Sequence, residues 1–140
     1  MRVLLHESER PISPSWKVGS QADIFLIDPD TKTKRSLKAH ALTIGFKNKK
    51  FHINNEPIDS KRFYLTPSNA NLSLENKEYH GSLLFAYDAD RVYAINSIDI
   101  EDYVCSVLRT ESWPGWPLEV NKVFAIASRS YVIGVILNNK

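Results

Sequence analysis

The sequence predicts an α+β chain. A strand-rich part over residues 1–96 forms a small sandwich or barrel, and two helices follow over 97–140, the second largely buried. Three observations carry this reading. Short apolar or alternating runs recur every ~8–12 residues as far as Asn96, the rhythm of small β proteins. Clusters of Asp, Asn, Pro and Ser separate those runs. Beyond Ser97 the apolar spacing lengthens from about 2 residues to about 3.6, which is the change from a strand to a helix.

The predicted strands are Arg2–Leu5, Ala22–Ile27, Leu37–Phe46, Lys50–Ile53, Arg62–Leu65, Asn71–Leu74, Tyr79–Tyr87 and Arg91–Asn96. Asp28-Pro29-Asp30, Asn48, Asn54-Asn55-Glu56-Pro57, Pro67-Ser68-Asn69 and Asp88-Ala89-Asp90 break them, and the last reads as a hairpin turn between two strong strands. Asp99 is placed to cap a first helix with Ile100, Tyr103, Val104, Val107 and Leu108 as its apolar stripe, ending near Thr110. Trp113-Pro-Gly-Trp-Pro117 must end it, since proline cannot continue a helix. Pro117 then suits the first turn of a second helix, Leu118 to about Leu137, which is apolar nearly all round and therefore expected to be covered on most faces.

With 140 residues the chain holds one core and is short for two domains. Its 43% hydrophobic and 24% charged residues are those of a soluble globular protein. No run is expected to approach the roughly 18 apolar residues of a membrane span. The N-terminal Met1-Arg-Val-Leu-Leu-His-Glu7 is too short and too weakly basic for a signal peptide, so any export signal is expected outside this chain. Cys105 stands alone, which excludes an internal disulfide and any cysteine zinc cluster; its apolar helical neighbours predict a buried thiol. His6, His40, His52 and His80 show no metal-ligand spacing. Between Thr31 and Asn55 there are seven basic residues and no acid, leaving 11 basic against 16 acidic elsewhere. Such a segment suits either a polyanion or, more simply, solvated edge-strand lysines that oppose aggregation. No recognition motif supports nucleic acid.

Chemistry concentrates in the helical part. Lys122 and Arg129 lie seven residues apart on one face of the second helix, and a guanidinium there must be paired or face a ligand cleft. A salt bridge to Glu119 or to Glu101 and a cleft-facing cation are both open. Glu111 ends the first helix beside Trp113 and Trp116. The negative end of the helix dipole and apolar neighbours are expected to raise its pKa, as a general acid requires, and the tryptophans could wall a sugar ring or simply pack the loop.

The residues from Ile95-Asn-Ser-Ile-Asp-Ile-Glu-Asp-Tyr-Val-Cys-Ser-Val-Leu-Arg-Thr to Glu111, then Trp116-Pro-Leu-Glu-Val-Asn-Lys122, then Ala125-Ile-Ala-Ser-Arg-Ser-Tyr131, resemble the SpoIID/LytB family, which comprises stage II sporulation protein D and the amidase enhancer LytB. Tyr79-His-Gly81 resembles a further upstream element of that family. The resemblance implies a lytic transglycosylase acting on peptide-free peptidoglycan glycan strands, outside the cytoplasm at the cell envelope. It implies Glu111 as catalytic acid and Arg129, Lys122, Trp113, Trp116 and Ser130 as substrate-binding residues. Some members use zinc, but no cofactor or ligand set is evident in this sequence. The alternative it carries is a non-catalytic glycan-binding module that enhances a partner amidase. Ser106, Val120-Asn121, Val123-Phe124 and Ser130 depart from the family pattern. Because the family domain runs further, 1–140 is expected to be a single, C-terminally incomplete SpoIID-like domain.

Overall fold

The computed structural model describes residues 1–9, 14–113 and 115–138. Among them, strands β1 (Arg2–Glu9), β2 (Ser15–Ser20), β3 (Ile24–Asp28), β4 (Thr33–Ser36), β5 (Ala41–Lys47), β6 (Lys50–Ile53), β7 (Glu56–Ile58), β8 (Arg62–Pro67), β9 (Leu72–Leu74), β10 (Lys77–Tyr79), β11 (Ser82–Asp88) and β12 (Arg91–Ser97) precede helices α1 (Ile100–Glu111) and α2 (Leu118–Asn138). The chain divides into two compact units, one of Arg2–Ser97 and one of Ile98–Lys140 together with Met1. The fold class is thus α+β, as the sequence predicts.

The β unit is a sandwich of two six-stranded antiparallel sheets, in the orders β1-β12-β11-β8-β3-β4 and β10-β9-β2-β5-β6-β7. It is not a barrel: β1 and β4 end one sheet, β10 and β7 the other, and neither sheet closes on itself. Alternation explains the layering. In β5 the inward Leu42, Ile44 and Phe46 are buried while Ala41, Thr43 and Lys47 are exposed. Four two-residue turns, at Asn48-Lys49, Asn54-Asn55, Glu75-Asn76 and Ala89-Asp90, place both residues at positive φ. Tight hairpins require that geometry so that the turn's twist matches the strands. Asparagine supplies it readily, whereas Ala89 is held there against its own preference.

Aromatic side chains join the sheets. Phe63 and Phe85 from one sheet stack at 5.5 Å, and Phe51 from the other meets Phe63 edge-on at 5.2 Å. Trp16 reaches Phe85 at 5.4 Å. Each fully buried ring of this kind contributes roughly 1.5–3 kcal/mol by removal from water.

Four strands went unforeseen. β4, β7 and β10 are short or polar and acquire their conformation from the strands beside them, whereas β2 alternates, with Trp16 and Val18 buried in the middle of its sheet. Glu56 and Pro57, expected to break the chain, lie in β7 instead. It is an edge strand, where proline's missing N–H costs no ladder bond. All four residues of β4, including Lys34 and Arg35, are exposed at the other sheet's edge, and Lys34 lies 4.8 Å from the ring of Phe25. Lys34 and Arg35 thus hold solvated edge-strand positions.

Two buried polar residues organise the β unit. Asn96 of β12 donates from Nδ2 to the carbonyls of His80, at 2.8 Å, and Ser82, at 3.2 Å. One side chain thereby ties the Tyr79-His-Gly81 element to the strand that leads into α1. Asp28 accepts the backbone N–H groups of Asp30 (2.8 Å) and Thr31 (3.2 Å) and the hydroxyl of Ser60. The Ser60 hydroxyl above all, with those amides and the Arg62 charge and against the effect of burial, holds the Asp28 carboxyl below the usual carboxylate range. A carboxyl depressed on folding stabilises above its unfolded pKa of about 3.9, and this contribution is lost as pH falls through the lower folded value. Asp28→Asn is expected to cost about 1–3 kcal/mol at pH 7 and to lose much less stability than the parent on acidification to pH 3. Urea unfolding at the two pH values measures both effects.

Candidate active site in the helical hairpin

The helical unit carries every site residue the sequence singles out. Asp99 caps α1 as expected, its carboxylate accepting the Glu101 N–H at 2.8 Å, and Ser112 closes the other end by donating from its N–H and hydroxyl to the Leu108 carbonyl. Glu111 is therefore the last residue of α1, and it is exposed rather than enclosed by apolar groups. Gly115 turns the chain at φ 92°, and the Pro117 carbonyl accepts the first N–H bonds of α2 from Val120 and Asn121. Pro114 lies outside the described residues.

Two expectations about this hairpin need correction. No described residue of α2 is buried; Leu118, Val123, Ile126 and Tyr131 are among its exposed apolar side chains. An all-round apolar helix suits burial, but burial requires neighbours on every side, and within this unit a single helix lies beside it. Cys105 is exposed instead of buried. It follows the buried Val104 by one position, about 100° round the helix, which turns the thiol away from the covered stripe.

α2 is also long and apolar enough to cross a membrane by length and composition, although its apolar run is interrupted. Glu119, Lys122 and, at the middle of the helix, Arg129 interrupt it. The guanidinium of Arg129 makes a two-pronged ion pair with Glu101 of α1, Nε–Oε1 at 2.7 Å and Nη2–Oε2 at 2.8 Å. Carrying that pair, and α1 with it, into hydrocarbon would be costly.

The Arg129 guanidinium holds the Glu101 carboxyl below its ordinary range, and the same hydrogen bonds raise Arg129. Of the two readings open for Arg129, the salt bridge to Glu101 is the one formed. Lys122 is likewise engaged, donating to Glu119 one turn away at 3.1 Å. Glu101 and Glu111 are ten residues apart, so the Arg129 head group is held about 15 Å along α1 from the proposed acid. Arg129 and Glu111 are not brought together in this arrangement. Reversing one charge, as in Glu101→Arg, is expected to lower the hairpin's thermal stability, and adding Arg129→Glu to restore most of it. A double-mutant cycle on melting temperature gives the coupling, which shrinks in high salt because the pair is partly exposed.

Trp113 is exposed, at 71% of its full surface, and free to meet a ligand. Trp116 packs edge-on against Phe124 at 6.1 Å and, with Val120, Val123 and Ala127, lines an apolar groove of about 440 Å³. Phe124, a departure from the family pattern, thus serves as the rest for Trp116. Ser130 is exposed on α2. Sequence reasoning missed Asn121, whose Oδ1 is buried without a hydrogen-bond partner among the described residues; a lone amide in an apolar stretch was the available signal. Among the described residues no group of three His, Cys, Asp or Glu side chains converges as a metal site would need.

A strand leading into a capped helix, a Trp-Pro turn with a glutamate at its lip, and a long apolar helix define the class. Residues 88–140 match the family model of SpoIID, stage II sporulation protein. The chain is also 43% identical, over 67 residues that make up 48% of its length, to an uncharacterized protein of Brachyspira hyodysenteriae. That alignment covers 18% of the relative, so the chain spans about a fifth of the length of the curated protein it matches. No solved structure matches. The family supports a role connected with sporulation or the cell wall, is compatible with a cell-wall enzyme, and suggests a cell-envelope setting.

Proposed function

We propose that the whole polypeptide cleaves peptide-free peptidoglycan glycan strands as a lytic transglycosylase at the extracytoplasmic face of the envelope, with Glu111 as the acid. The observation that carries this reading is the ordered motif around Glu111, a carboxylate exposed at the end of α1 and followed by the open Trp113 ring. One carboxyl group suffices for the reaction. Glu111 protonates the departing glycosidic oxygen, the substrate's own hydroxyl attacks the anomeric carbon, and the resulting carboxylate takes the hydroxyl's proton. Hydrolysis would need a second carboxylate as base or nucleophile. Lys122 and Arg129 suit the lactyl carboxylate that stem-peptide removal exposes, provided each exchanges its present partner for substrate. Trp113, Trp116 and Ser130 are the remaining sugar-contacting residues in this proposal.

The pairing of Arg129 with Glu101 favours a second reading, in which the chain binds glycan and enhances a cell-wall amidase without cutting. Incubating the whole polypeptide with peptide-free glycan and counting anhydro-muramic ends by mass spectrometry separates the two. New ends support cleavage. Glycan capture without new ends, together with faster amidase turnover, supports the enhancer.

A further inference from the structure

We infer that the β unit carries a binding site of its own for a neutral saccharide, in a cleft at the margin of the sheet that holds β10, β9 and β2. The cleft is about 390 Å³ and is lined by Ser20, Gln21, Asn69, Asn71, Ser73 and Glu78, with Gly19 and Ala70 adding little bulk. That volume lies within the roughly 300–1,000 Å³ of small-molecule sites, but the lining is polar where such sites are mostly apolar. Its occupant must therefore be dense in hydrogen-bonding groups.

Charge narrows the choice. Among the described residues no Lys, Arg or His lines the cleft, so no cation there recognises an anion. Glu78, the single carboxylate lining it among the described residues, falls short of the several carboxylate and carbonyl oxygens that a calcium ion gathers. What remains is a neutral ligand that both donates and accepts, and side-chain amides, hydroxyls and a carboxylate are the complement of sugar hydroxyls and acetamido groups. These side chains are also available. Ser20 is used internally, donating to the Asn71 carbonyl at 3.0 Å and so fixing the end of β2 against the segment before β9. Among the described residues the side chains of Gln21, Asn69, Asn71, Ser73 and Glu78 have no hydrogen-bond partner within the protein.

Gly19 keeps the cleft open. A Cβ built there would stand 2.9 Å from the Ser73 hydroxyl oxygen and push it aside. The site rests on its own residues, and the glycan reading of the helical hairpin serves only to choose the first probe. A second saccharide contact in the same polypeptide would raise the effective concentration of a glycan strand without new chemistry.

The test is titration of the isotopically labelled chain with N,N′,N″-triacetylchitotriose and, in parallel, maltotriose, each to 10 mM, followed by amide and side-chain NH₂ shifts. Saturable shifts of Gln21, Asn69 and Asn71 are expected with at least one sugar. Gln21→Ala and Asn71→Ala, which remove no internal side-chain bond, should each weaken binding about 10-fold or more. Glu111→Gln should leave it unchanged. Absence of saturable shifts with both sugars, shifts confined to residues 98–138, or full binding by both alanine variants would overturn the proposal. Absence of glycan cleavage by the unsubstituted whole polypeptide, with the cleft shifts intact, would sink only the catalytic reading.

Discussion

Glu111→Gln in the whole polypeptide is expected to lower the release of anhydro-muramic ends by about 10²–10⁴-fold, the usual span for removing a general acid. Glutamine preserves the shape and hydrogen-bonding reach of the side chain but has no proton to give the departing oxygen and no carboxylate to take one back. The fold should be untouched, because Glu111 is exposed at a helix end and makes no internal ion pair among the described residues. Far-ultraviolet circular dichroism and melting temperature should match the parent, and capture of peptide-free glycan should persist. Release within threefold of the parent would remove Glu111 from the mechanism. Glu111→Asp is a graded control: it keeps the acid but withdraws it by one methylene, so activity between parent and glutamine variant is the expected order.

The second large effect is on stability. Phe85 is fully buried, stacks on Phe63 and meets Trp16 and Phe51 of the opposing sheet, at centroid distances of 5.5, 5.4 and 6.5 Å. Phe85→Ala is expected to cost about 3–5 kcal/mol, from lost transfer energy and from a cavity that rigid ring neighbours cannot close. For a β unit of this size the melting temperature should fall by on the order of 15–30 °C. Phe85→Leu keeps most of the volume and should cost well under half as much. Denaturant unfolding monitored by far-ultraviolet circular dichroism reads both variants. Equal losses for alanine and leucine would mean that the aromatic contact geometry, rather than filled volume, holds the sheets together.

Much of the fold was legible because local chemistry decided it. The Asp99 cap, the Ala89-Asp90 hairpin and the alternation of β5 each follow from one or a few neighbouring residues. Edge strands were not legible in the same way. Thr33–Ser36 is a polar tetrapeptide with no alternation to detect, and it is extended because β3 offers it a ladder. The helical motif was readable as a string, including the glutamate and both cations. Their pairing was not. Glu101 and Arg129 are 28 residues apart, and only antiparallel packing of the two helices makes them neighbours.

The amide-lined cleft shows the same division more sharply. Gln21, Asn71 and Glu78 sit in separate loops and strands and read individually as ordinary turn and surface residues. Ladder register alone gathers them, through the pairing of β2 with β9 and β9 with β10. The sequence by itself determined where strands give way to helices, which turns are tight, and which family model the last third matches, because periodicity, φ preference and an ordered motif are local properties. Tertiary structure alone decided that Arg129 is tied to Glu101 about 15 Å along α1 from Glu111, that Cys105 and α2 are exposed, and that unpaired amides converge. Those outcomes depend on which surfaces meet, and contacts between residues far apart in the chain leave no period or spacing in the sequence.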